Sequence, residues 1–194
     1  MEIYYLKKEE FLNSIDKKTL EYFTDNREYG SEEKYYEHLC GLFLTKFIAK
    51  NVYGIEDTKI ILNNQKPKFA SHKLNFSISH SNNIVMVAFN NRNIGLDVEY
   101  MYPRDYKRIM ERFNRDIKNP TRQDFYRFWT MHEAEIKLGA EPKSIFSAFL
   151  NEDYVYTCVS DHVIVTKYGT KELICSEKNI NLIKEFEHPQ FLQA

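Results

Sequence analysis

The sequence predicts an α+β fold of two lobes that meet near residue 95, and three observations carry that prediction. Residues 31–52 have helical apolar spacing, residues 122–138 have it again with both ends marked, and the stretches between and after them read as short strands. At 194 residues, with 43% hydrophobic and 15% aromatic residues, the chain can bury a sizeable core, and no Gly-, Ser- or Pro-rich tract separates the halves. The expected division is an N-terminal α+β lobe over 1–95 and a C-terminal α+β lobe over 96–194.

Each element has its own signal. Ser31 is placed to cap the first long helix, Glu32 and Glu33 favour its positive end, and Tyr35, Leu39, Leu42, Phe43 and Phe47 recur at helical spacing. Residues 59–62 read as a strand and 63–67 as a turn. Residues 76–79 and 84–90 read as two more strands around the polar link 80–83. After the turn at 90–93, Ile94, Leu96 and Val98 alternate with Gly95, Asp97 and Glu99, which predicts a strand with one apolar face. A helix is expected over 105–113, and another over 122–138 with Thr121 as cap, Asp124 three residues on and Gly139 as stop. Residues 154–160, 162–167 and 172–176 then read as a β-meander.

Composition limits the function classes. A net charge of -1 and a pI near 6.6 give no global reason for a nucleic acid, membrane or polyanion partner. The three cysteines are odd in number and lack a C-x-x-C pair, which argues against a disulfide framework or a zinc site and fits a reducing, cytoplasmic setting. Charges within residues 1–12 interrupt any signal-peptide core, and the longest clean apolar run, 84–89, is too short to span a bilayer. A soluble protein is expected.

Several residues offer chemistry, each with an ordinary alternative. Asp97 and Glu99 leave one face of their strand with Cα atoms about 6–7 Å apart, so they either chelate one ion or form an exposed polar face. Gly95 on that face is expected to let a ligand approach the backbone. Glu133 and Lys137 stand at i and i+4 with Trp129 one turn earlier on the stripe. They are either a surface ion pair or a third carboxylate beside a phosphate-steadying cation, since Mg²⁺ is commonly held by a few carboxylates plus substrate phosphates. His80, within Ser79-His80-Ser81, can converge with hydroxyls on an anion or serve structure alone. Lys66 is expected in a turn. There is no G-x-S-x-G elbow. Residues 103–122 hold seven basic and three acidic residues, a local excess of +4 suited to an acidic partner. Nearby aromatics also permit a nucleic-acid reading, which the overall charge disfavours.

In order, Phe76-Ser77-Ile78-Ser79-His80-Ser81, Ile94-Gly95-Leu96-Asp97-Val98-Glu99 and Phe128-Trp129-Thr130-Met131-His132-Glu133-Ala134-Glu135-Ile136-Lys137 resemble the three signature motifs of the 4'-phosphopantetheinyl transferase superfamily, in its Sfp-type (surfactin-type) branch. The resemblance implies a pseudo-dimeric fold of two similar lobes with the site between them. It implies Mg²⁺-dependent transfer of the phosphopantetheine arm of coenzyme A to a serine of an apo carrier protein, with release of adenosine 3',5'-bisphosphate. Asp97, Glu99 and Glu133 would hold Mg²⁺, with Mn²⁺ as a substitute. Glu133 would also act as general base, Lys66, Ser79 and His80 would contact the nucleotide phosphates, and Lys137 would steady the pyrophosphate. The implied partners are coenzyme A and an acidic acyl or peptidyl carrier protein, with no nucleic acid or membrane, and the chain itself is expected to be a monomer. The chain departs from the pattern at His132, where the family usually has Lys, at Gln65, where it has Gly, and near Glu37 and His38, where an Arg is absent. Those departures motivate an alternative, a catalytically impaired relative that binds coenzyme A or a carrier protein without turnover.

Overall fold

The structure, a computed structural model, describes residues 1–15, 29–63, 66–113, 119–163, 169–176 and 179–186. It is an α+β fold. In chain order the elements are β1 (Glu2–Lys7), α1 (Lys8–Ser14), α2 (Glu32–Asn51), β2 (Ile60–Asn63), β3 (Lys66–Phe69), β4 (Asn75–Ser81), β5 (Ile84–Asn90), β6 (Ile94–Tyr100), α3 (Tyr106–Arg112), α4 (Arg122–Leu138), β7 (Ser144–Phe149), β8 (Tyr154–Ser160), β9 (Gly169–Ser176) and β10 (Asn179–Phe186). No helix among the described residues is long and apolar enough to cross a membrane.

Two sheets form the frame. The first has five strands in the order β10-β9-β1-β5-β4, and the second has three in the order β6-β8-β7. Strand β5 is an apolar run buried on both faces at Ile84–Phe89, as a central strand must be, and β1 beside it buries Ile3, Tyr4, Tyr5 and Leu6. One face of this sheet, with Tyr4, Leu6, Val85, Val87 and Phe89, packs against Leu39, Leu44 and Ile48 of α2. Its other face, with Ile3, Tyr5, Met86 and Ala88, meets Ile94, Leu96, Val98 and Tyr156 of the second sheet. Helix α4 covers the far side of the second sheet through Ala134 and Leu138 on Val159. The layers therefore run helix, sheet, sheet, helix.

The halves repeat one topology. Strand β1 is followed by helices and by the hairpin β4–β5, whose second strand pairs antiparallel with β1. Strand β6 is likewise followed by α3, α4 and the hairpin β7–β8, whose second strand pairs antiparallel with β6. The five-stranded sheet nevertheless draws on both halves, because β9 pairs in parallel with β1.

Both long helices carry the predicted end signals. The Ser31 hydroxyl accepts from the Lys34 amide in α2, and α4 starts with a reciprocal box between Thr121 and Asp124. Gly139 ends α4 in the left-handed region at φ 69°. Three expectations need correction. Residues 66–67 are not in a turn but begin β3, the second strand of a hairpin with β2. His80 and Ser81 belong to β4 and not to a polar link. The final strands do not form a meander, since β8 lies in the second sheet while β9 and β10 lie in the first. No strand is anticipated over Glu2–Lys7, Ser144–Phe149 or Asn179–Phe186, yet each is one. Gln65, Arg115, Lys118 and most of the expected strand 162–167 lie outside the described residues.

Candidate functional site

The site forms where the edge strands of the two sheets meet under α4. On β4, Phe76, Ile78 and His80 face α2, which leaves Ser77, Ser79 and Ser81 facing β6. On β6, the predicted alternation holds: Ile94, Leu96 and Val98 fill the core between the sheets, while Gly95, Asp97 and Glu99 lie beneath α4. Gly95 has a different role from the expected one. A Cβ there would overlap the Ala134 carbonyl oxygen and stand 2.7 Å from the Leu138 nitrogen, so the missing side chain admits a helix and not a ligand.

The hydrogen bonds converge on Asp97, which is 5% exposed. Its Oδ1 accepts from the Lys137 ammonium at 2.8 Å and from the Ser79 hydroxyl at 2.8 Å. The Ser79 hydroxyl in turn accepts from Lys137 at 2.9 Å and from the Val98 amide at 3.2 Å. The second oxygen, Oδ2, is buried without a hydrogen-bond partner. Glu99 Oε2 accepts from the Ser81 hydroxyl at 2.9 Å. Burial, and then the Asp97 charge, push the Glu99 carboxyl above its ordinary value, against hydrogen bonds from Ser81 and Trp129 and the charge of Arg104.

Trp129, Glu133 and Lys137 follow one another at helical spacing, so Glu133 stands one turn before Lys137, the residue that touches Asp97. No group of three His, Cys, Asp or Glu side chains placed to hold a metal ion occurs among the described residues, so Glu133 does not join the other two in this structure. The Asp97–Glu99 pair still suits a hard divalent cation: one buried carboxylate oxygen has no donor, and the neighbouring carboxylate is raised by burial and like charge.

The remaining predicted residues surround this centre. A cleft of about 580 Å³ between β3, β4 and the C-terminal end of α4 is bordered by Lys66 and Lys137, with Pro67, Phe76, Ile78 and Ile136 as apolar lining. The Lys66 ammonium donates to Asn93 Oδ1 and, at 2.8 Å, to the Ile94 carbonyl. Burial lowers its pKa, and the Asp161 carboxylate opposes that shift. His80 Nδ1 lies 3.2 Å from Glu37 Oε2, and Lys8 holds the other Glu37 oxygen at 3.1 Å. Partial enclosure of the imidazole lowers its pKa, the Glu37 charge opposes this, and the Lys137 and Lys8 charges add to it. His132 sits among rings, 5.0 Å from Phe113 and 6.1 Å from Phe128, where α3 meets α4. Of the described basic residues after Pro103, Arg104 lies over the Phe125 and Tyr126 rings and Arg122 donates to the Met101 carbonyl, while Lys107, Arg108 and Arg112 are exposed.

Sequence reasoning missed the contact of Ser81 with Glu99 and that of Glu37 with His80. The signal available was the serine alternation at 77, 79 and 81, which puts three hydroxyls on one strand face.

No family model matches the chain. It is 30% identical over 144 residues to a 4'-phosphopantetheinyl transferase of Bacillus subtilis, covering 66% of this chain and 64% of that protein. The likeness is to phosphopantetheinyl transferases. A second relative of that name, 4'-phosphopantetheinyl transferase HetI of Nostoc sp. (strain PCC 7120 / SAG 25.82 / UTEX 2576), is 36% identical over 81 residues, 36% of this chain and 34% of its own. The chain thus spans less than two thirds of the length of these curated relatives. The shared name supports the phosphopantetheinyl transferase superfamily, and the residues gathered around Asp97 come from the same three motifs on which the sequence resemblance rests.

Proposed function

We propose that the protein is a 4'-phosphopantetheinyl transferase of the Sfp-type branch, transferring the phosphopantetheine arm of coenzyme A to a serine of an acidic acyl or peptidyl carrier protein. The observation that carries this reading is the Asp97 centre, where the three motifs supply Ser79, Asp97 and Lys137 within hydrogen-bond distance and leave Asp97 Oδ2 without a donor. The names of both relatives support the same chemistry.

In this reading Asp97 and Glu99, with Glu133 as the third ligand, hold Mg²⁺ or Mn²⁺. The bound ion supplies positive charge to the pyrophosphate oxygens. Lys137 moves from Asp97 Oδ1 toward the same pyrophosphate, Lys66 faces the nucleotide phosphates along the cleft, Ser79 contacts them from beside Asp97, and His80 adds a donor at the cleft edge. Glu133 takes the proton from the carrier serine hydroxyl. A serine oxygen–phosphorus bond forms, the pyrophosphate P–O bond breaks, and adenosine 3',5'-bisphosphate leaves with the bridging oxygen. Most of the rate enhancement then derives from positioning and charge neutralisation. The exposed Lys107, Arg108 and Arg112, on the helix next to Arg104, offer the carrier an electropositive approach to Glu99. The repeated topology supports a pseudo-dimeric arrangement of lobes 1–95 and 96–194, and one chain supplies every residue of the site.

The test is incubation with coenzyme A, Mg²⁺ and a panel of apo carrier proteins. A mass gain of one phosphopantetheine arm is expected on at least one carrier, and Glu133→Gln should abolish it. Normal transfer by that variant overturns Glu133 as ligand and base. A second reading, binding without turnover, is favoured by the Glu37 carboxylate on His80, which opposes an anion at that edge. It predicts tight coenzyme A binding with no mass gain on any carrier.

A further inference from the structure

We propose that Ser81 is a positioning residue that fixes the Glu99 carboxylate for cation binding. The proposal rests on the reading that Asp97 and Glu99 hold the ion. It comes from the way β4 is joined to β6. The two strands are the facing edges of different sheets, yet they share a regular set of bonds: the Ser77, Ser79 and Ser81 hydroxyls accept from the amides of Leu96, Val98 and Tyr100 at 3.0, 3.2 and 3.0 Å. Each serine stands in for a backbone carbonyl that an edge amide would otherwise lack.

A serine hydroxyl also has one proton to give, and here its destination alternates with the letters of β6. Ser79 gives its proton to Asp97 and Ser81 gives its proton to Glu99. The corresponding residue for Ser77 is Gly95, which has no acceptor side chain. The three positions therefore share the sheet-joining bond, and two of them add a bond to a candidate ligand.

Glu99 needs that help more than Asp97. It is less buried, its longer side chain has more rotamers to lose, and the Lys137 ammonium is committed to Asp97. Ser81 holds Glu99 from the β4 side through a hydrogen bond at 2.9 Å. A carboxylate held in this way is aimed before the ion arrives, as outer-shell hydrogen bonds to metal ligands do elsewhere.

The experiment is a titration with Mn²⁺ alone, following free Mn²⁺ by electron paramagnetic resonance, on the wild type and on Ser81→Ala, Ser81→Thr, Ser77→Ala and Asp97→Asn. Loss of the outer-shell bond in Ser81→Ala should weaken Mn²⁺ binding about 10-fold or more. Ser81→Thr, which keeps the hydroxyl, should restore it. Ser77→Ala removes the sheet-joining bond but no carboxylate contact, so it should lower the melting temperature as Ser81→Ala does while leaving Mn²⁺ affinity unchanged. Equal affinity in Ser81→Ala and wild type overturns the proposal, and so does an equal loss in Ser77→Ala, which would make the ladder purely structural. A wild type that binds no Mn²⁺, or an Asp97→Asn variant that binds it undiminished, overturns the metal reading itself and this proposal with it.

Discussion

At the scale of single residues, the centre is a carboxylate pair with one internal cation. Lys137 neutralises Asp97, but Glu99 is left with hydrogen bonds and a nearby guanidinium, and its pKa is raised. A raised pKa means the folded state holds the Glu99 proton more tightly than the unfolded state. The stability this contributes is full below the ordinary value of 4.5 and is lost as pH rises through the raised value. Metal-free Glu99→Gln should therefore melt above the wild type at neutral pH, with the gap closing as pH falls toward 4.5. Thermal melts in chelator across that range check it, and a variant no more stable than wild type at neutral pH contradicts it. Lys137→Met should act in the opposite direction. It leaves buried Asp97 with the Ser79 hydroxyl alone, at a cost of about 1–3 kcal/mol, since Lys137 is partly exposed and the full penalty of a buried ion pair does not apply. Added Mg²⁺ should recover part of that loss in denaturant titrations if the ion takes over the neutralising role. The placement of Asp97 and Glu99 on one face was legible from the strand period. The serine contacts were not, because their partners lie 18 residues away on another sheet and serine alternation resembles an ordinary solvated edge.

At the scale of elements, what the letters revealed and what they hid have different physical causes. Helix α4 was legible to its ends because its signals are local: Thr121 and Asp124 exchange hydrogen bonds within one turn, and Gly139 takes a left-handed φ that favours glycine. Strand β5 was legible because a strand buried on both faces is written as an unbroken apolar run. Strand β3 was hidden because Lys66 and Pro67 read as turn residues, although a two-stranded hairpin tolerates proline. The end of β4 was hidden because His80 and Ser81 are polar, and only the contacts with Glu37 and with β6 show why a strand keeps them. Gly95 shows a correct letter given the wrong reason. Its place on the strand predicts room for a ligand, whereas it is the point where α4 comes down on β6. Gly95→Ala should therefore destabilise by about 3 kcal/mol or more, since both overlapping atoms belong to helix backbone and neither can rotate away. Urea titration of the metal-free protein measures it, and a loss within about 0.5 kcal/mol, the ordinary range for a surface change, would show that α4 can lift without cost.

At the scale of the molecule, the repeated order β1-β5-β4 and β6-β8-β7 suggests two lobes, but the hydrogen bonds cross the division at residue 95. Strand β1 is flanked by β5 on one side and by β9, from the far end of the sequence, on the other. The crossing extends to side chains: the Tyr5 hydroxyl donates to Glu172 at 2.9 Å, Leu173 lies in the core that packs against α2, and Ser79 and Ser81 bond to β6. A fragment of residues 1–95 would expose one edge of β1, the serine face of β4 and the sheet face that meets Leu96, Val98 and Tyr156. Buried apolar area is the main favourable term in folding, and this fragment would leave one of its two sheet faces in water. The full chain should then unfold in one cooperative transition, with tryptophan fluorescence from α4 and far-ultraviolet circular dichroism giving coincident curves. Fragments 1–95 and 96–194 should each lack a cooperative transition alone and regain one when mixed. A separate sigmoidal transition in either fragment would instead mark the repeat as two folding units joined at their faces. In the cooperative case, the Asp97 centre owes its geometry to both halves at once, and neither fragment alone should bind the cation.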